Sequence, residues 1–151
     1  MIAAIAIPNL LSAKQAGNQA SAVASLRALT SAEQLYFNNY NTYSPTLAAL
    51  GPPAAGTPAS ATNADLVDSV LSGISPTSTA TPSKAGYVFT YTPSAATNTN
   101  AYAIQAEPAA GSPTGALYYC ADTSGVIRSS ATTITVGTAP AVACDSTQSP
   151  I

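Results

Sequence analysis

From Ile2 to Tyr40 the chain holds one proline, Pro8, and one glycine, Gly17, although it carries 12 prolines and 9 glycines in all. These are the two residues that interrupt helices, proline by removing a backbone donor and glycine by raising the entropic cost of order. The segment is filled instead with Ala, Leu, Gln, Glu, Lys and Arg, which favour the helix. It is read as one long helix around which the rest of the chain must fold. At about 100° per residue, Leu11, Ala22, Leu26, Leu29, Tyr36, Phe37 and Tyr40 share one broad stripe, with Glu33 inside it. That stripe is expected to cover a sheet. Ala16, Ala20, Ala24, Ala28 and Ala32 recur every fourth residue on the other side, a smooth face that another backbone can approach closely. Glu33 is expected to be a partly exposed carboxylate satisfied by local hydrogen bonds, or paired with Arg27 or with Lys14 of a neighbouring copy.

The N-terminal end of this helix differs from the remainder. Met1 to Ala13 carry no charge, and Lys14 is the first charged residue. The apolar run covers roughly 15 to 20 Å as a helix, against about 30 Å of hydrocarbon in a bilayer. No basic region precedes it and no small-residue cleavage pattern ends it, so it does not read as a signal peptide. Pro8 lacks a backbone donor and crowds the carbonyl four residues back, which predicts a kink or loosening around Ala4 to Pro8.

Composition removes several function classes. Charged residues are 7% of the chain and only four are basic, so no patch can displace counterions from a nucleic acid. Histidine is absent. Cys/His metal sites are therefore not expected, nor is a cysteine nucleophile activated by imidazole. The two cysteines, Cys120 and Cys144, are read as one disulfide formed in an oxidising compartment, contributing roughly 3 kcal/mol by loop closure. Asp65 and Asp68 are one turn apart and are read as flanking a helix N-terminus rather than as an acid/base pair. Asp122, Thr123 and Ser124 offer oxygens, but too few for calcium, and are read as turn residues. No catalytic residue, cofactor or metal is expected, and the eight tyrosines are read as packing between helix and sheet.

Beyond the helix, residues 44–51 read as a short helix with Ser44 as N-cap, Pro45 at its first position and Gly51 past its end. A second is expected over 64–72, capped by Asn63 and closed by Gly73. The Pro/Ser/Thr-rich stretches "GPPAAGTPAS" and "SPTSTATPSKAG" read as surface loops and, by composition, as candidate carriers of O-linked sugars. Tyr87, Phe89 and Tyr91 alternate with Val88, Thr90 and Thr92, the pattern of a strand with one aromatic face. "AYAIQA" is its expected antiparallel neighbour, "ALYYCA" and "GVIRSS" form a hairpin, and a further strand is expected at Thr132 to Val136. The predicted fold is α+β: a long N-terminal helix packed on a three- or four-stranded antiparallel sheet, with a C-terminal loop stapled by the disulfide.

The stretch "IAAIAIPNLLSAKQAGNQASAVASLRALTSAEQLYFNNYNTYSP" resembles the helix of type IV pilins and type II secretion pseudopilins. "GYVFTYTP", "AYAIQAEP" and "LYYCADTSGVIRSS" are similar to strands and turn of the same family's globular head. The family's basic leader, and the phenylalanine and glutamate that follow it, are not found here, so the resemblance implies a copy lacking its first stem residues. It further implies a stem over residues 1–43, a head over 44–151, and a C-terminal loop closed by a disulfide. The implied function is that of a non-enzymatic subunit of an extracellular, cell-surface filament. Its partners are identical subunits, and the inner membrane before assembly if upstream residues exist. Assembly falls to Ile2, Ile5, Ile7, Leu10 and Leu11, buried in a central bundle, with Pro8 letting the stem lengthen. The alternatives are a pseudopilin or minor tip pilin acting as a binding module, and a soluble partner- or glycan-binding domain with an anchor remnant.

Overall fold

The computed structural model describes residues 6–75, 78–79, 81–110 and 114–151, with the backbone alone at 6–9, 75 and 78–79. It is an α+β fold built on one helix, α1 (Ala6–Tyr40), of 35 residues. The helix ends where Asn41 takes the left-handed conformation and donates its N–H to the Phe37 carbonyl at 2.8 Å. A short polar residue is suited to that position. Of the predicted stripe, Ala22, Leu26, Leu29 and Tyr36 are buried, whereas Leu11 and Phe37 stay exposed. Of the expected break around Ala4 to Pro8, residues 4–5 lie outside the described residues, while the backbone of 6–8 belongs to α1.

α2 (Leu47–Leu50) is capped by Thr46, whose hydroxyl accepts from the Ala49 N–H, and not by Ser44. Ser44 is buried and engaged elsewhere, as shown below. Helix α3 (Ser69–Ser72) is also shorter than expected, with Asp68 as its cap in place of Asn63. The intervening N–H groups have other partners. Ala64, Asp65 and Leu66 donate to Ala49, Gly51 and Leu50, the carbonyls that the end of α2 leaves free. Gly73 closes α3 in the left-handed conformation, as predicted.

The strands are β1 (Ile74–Ser75), β2 (Ser78–Thr79), β3 (Ser83–Lys84), β4 (Tyr87–Pro93), β5 (Tyr102–Pro108), β6 (Tyr118–Asp122), β7 (Ile127–Ser130) and β8 (Ser149–Pro150). β1 and β2 pair with each other, and the other six form one antiparallel sheet in chain order. The sheet therefore has six strands, where three or four were expected. β4 to β7 lie where the alternation placed them. The expected strand at Thr132 to Val136 is reduced to a single bridge between Val136 and Cys144. β8 occupies the edge of β7 that such a strand would need, pairing Arg128 with Pro150 and Ser129 with Ser149.

Each face of the sheet has its own cover. Tyr87 and Phe89 of β4, Tyr102, Ile104 and Ala106 of β5, and Tyr119 and Ala121 of β6 join the core that holds Leu26, Leu29 and Tyr36 of α1. The residues between them point the other way, so that Ala103 and Cys120 pack with Ile134, Val142 and Cys144 of the C-terminal loop. The Cys120–Cys144 disulfide, with a Cα separation of 5.9 Å, ties that loop to β6. Gln105 on β5 adds a hydrogen bond of 2.6 Å to the Ile134 carbonyl.

Candidate assembly surface

The burial of α1 changes along its length. Between Leu10 and Ser21 no residue is buried, and from Ala22 the stripe facing the sheet is. Twelve residues of helix span roughly 18 Å, so α1 runs well past the core before packing begins. Leu10 is 74% exposed and Leu11 42%. Of the other residues predicted to drive assembly, Ile2 and Ile5 lie outside the described residues. Ile7 and Pro8 lie within α1, described by backbone alone.

The smooth face is found in part. Ala16, Ala20, Ala24 and Ala28 are exposed, but Ala32 is buried in the core. Ala24 and Ala28, with Ser21 and Ser25, form one wall of a groove of about 350 Å³ whose other wall is Leu66, Val67, Leu71 and the Asp68–Lys84 pair. That pair, at 3.3 Å, is the only ion pair among the described residues, and both side chains are about half exposed. The Leu71 N–H and then Lys84 hold the Asp68 carboxyl below its ordinary range. Asp68 thus caps a helix, as sequence reasoning placed the pair, while Asp65 takes a left-handed backbone just ahead of it.

Glu33 departs most from expectation. It has no exposed surface, and neither Arg27 nor any other cation pairs with it among the described residues. Its carboxylate accepts the Ser44 N–H at 3.0 Å and the Ser44 hydroxyl at 2.5 Å. Sequence reasoning marked Glu33 as the odd charge in the stripe but missed Ser44 and Tyr91, whose ring joins the cluster from β4. The Tyr91 hydroxyl donates to the Ser44 carbonyl at 2.7 Å.

Asp122 keeps its role as a turn residue. One oxygen accepts from the N–H and hydroxyl of Ser124, and the other accepts the Cys144 N–H at 2.9 Å. Both oxygens are therefore occupied. Among the described residues no helix is long and apolar enough to cross a membrane, and no group of His, Cys, Asp and Glu could hold a metal ion. No family model, curated protein or solved structure matches this chain.

Proposed function

We propose that the protein is a structural subunit that polymerises into a type IV pilus-like extracellular filament through the N-terminal part of α1. The observation that carries this reading is the change in burial along α1, where a charge-free apolar segment leaves the head with Leu10 and Leu11 in water. Leucine left exposed forgoes about 1.5 to 3 kcal/mol of burial, and a neighbouring copy supplies the missing surface. The heads then face outward around a bundle of stems. Where the patch that one stem offers differs from the patch it meets on the next, the contact is head-to-tail and gives an open helix unless its rotation closes a ring. The pilin-like layout of one long helix on an antiparallel sheet supports the same reading, as does the disulfide, which suits an oxidising exterior. In this role the chain needs no catalytic residue.

The test is Leu10→Asp with Leu11→Asp in the protein expressed from its own gene. Sheared surface material, viewed by negative-stain electron microscopy, is expected to lose its filaments while the head stays folded by circular dichroism. Filaments of normal number and length in the double variant would show that this segment is not the assembly element.

A further inference from the structure

A fully buried carboxylate ordinarily has a cation beside it, because an isolated charge is costly to desolvate. Glu33 has none. The titratable groups facing it are phenols: Tyr36 on its own helix, Tyr91 from β4 and Tyr102 from β5. α2 offers no titratable side chain, and Asp122 on β6 acts on Tyr102. Burial holds the phenols of Tyr91 and Tyr102 well above their ordinary range, so both are neutral. The Tyr102 hydroxyl is buried and faces the Thr30 side chain rather than the carboxyl. An ionised Glu33 would rest on neutral donors alone, the N–H and hydroxyl of Ser44 and the Tyr91 hydroxyl.

A neutral acid fits the same atoms better. Its O–H donates to the Ser44 hydroxyl, whose own proton turns to the Tyr91 hydroxyl at 3.3 Å, whose proton goes on to the Ser44 carbonyl. The Ser44 N–H donates to the second carboxyl oxygen. Every donor and acceptor of the cluster is then used, with no net charge in the core.

Ser44 lies in the strap that joins α1 to α2. Tyr43 donates its N–H, and Thr42 its hydroxyl, to the Thr99 carbonyl, at 2.8 and 3.0 Å. The strap is pinned from above by the loop between β4 and β5 and from below by Glu33. We propose that Glu33 is carried as the neutral acid, its proton shared with the Ser44 hydroxyl, and that releasing this proton loosens the strap between stem and head. The junction is then tight in acid and yields as the medium becomes alkaline, because a charged Glu33 is driven toward water. Burial, only partly offset by the bonds from Ser44 and Tyr91, pushes the Glu33 carboxyl up and agrees in direction. A raised folded value gives a stabilisation complete below the ordinary carboxylate value of about 4.3 and lost as pH rises through the folded one.

The test compares the full chain with Glu33→Gln, whose amide keeps the donor to the Ser44 hydroxyl but cannot ionise. Thermal unfolding across about pH 5 to pH 8 is expected to show the wild type falling behind the variant by on the order of 3 °C. Amide exchange at Tyr43 and Ser44, corrected for its intrinsic base catalysis, is expected to speed up with pH in the wild type only. Parallel melting profiles and equal exchange would overturn the proposal. Should the variant not fold, an infrared titration of the wild-type chain decides. One carboxyl still protonated after the exposed acids have ionised supports it, and all carboxyls ionising together overturns it.

Discussion

Asp122 divides its two oxygens between neighbours that are far apart in the chain, turning β6 into β7 with one and holding the Cys144 N–H with the other. A residue two positions past Cys120 therefore fixes the loop on the side where the disulfide ties it. The two-residue turn between Lys84 and Tyr87 is less well suited to its place. Ala85 and Gly86 both have positive φ, 52° and 75°, which is the primed turn that fits the twist of a hairpin. Glycine meets that requirement freely, whereas alanine in the left-handed region costs roughly 1 to 2 kcal/mol. Ala85 is exposed. Ala85→Asn is expected to raise stability by about 0.5 to 1 kcal/mol, read as a higher urea midpoint at unchanged slope. This turn also shows why β3 was not legible: "KAG" lacks the Asn or Asp that marks a hairpin, and a two-residue strand gives no alternation to read. Glu33 was illegible for a different reason. Ser44 is 11 residues away and Tyr91 a further 47, so its burial depends on partners that no local pattern announces.

Elements with a strong period were legible, and those set by competition for backbone groups were not. The gap in proline and glycine marks α1, and the aromatic alternation marks β4 and its inward face. By contrast, the starts of α2 and α3 follow from which carbonyls and hydroxyls were already engaged: Ser44 by Glu33, and the N–H groups of 64–66 by the end of α2. The C-terminal loop follows the same logic, since β8 takes the edge of β7 and leaves Thr132 to Val136 to lie across the sheet's second face. That face is small, with Ala103, Ile134 and Val142 buried beside the cysteines and Tyr118 and Val136 partly buried against them. The cross-link spans 24 residues and so contributes about 3 kcal/mol in the loop-closure estimate. Replacing both cysteines, as Cys120→Ala with Cys144→Ala, is expected to lower the unfolding free energy by about that amount. The loop over 131–148 should then be cut by protease before the sheet loses its circular dichroism signal. A midpoint unchanged by the double substitution would mean that Asp122, Gln105 and the apolar contacts hold the loop unaided.

At the scale of the whole molecule, the central fact is that α1 serves two environments. From Ala22 onward it supplies one wall of the core, with Leu26 and Leu29 fully buried. Before Ser21 it contributes no buried residue among those described. The Asn18 side-chain amide ties this part to the head, donating to the Thr114 carbonyl at 2.9 Å. A partly exposed hydrogen bond of that kind is worth about 0.5 to 1.5 kcal/mol, and the backbone ordered to make it offsets part of that. Removing residues 1–20 is therefore expected to leave the head folded, with a Tm within about 4 °C of the full chain. The same cut removes Leu10, Leu11 and the charge-free run, so the shortened protein is expected to be monomeric by light scattering at concentrations where the full chain associates. The two readouts separate two ideas about the segment. A large loss of Tm would make it part of the head's own core, whereas an intact head that no longer associates would place its energetic value between molecules. The packing favours the second outcome, because no described residue of the piece removed is buried.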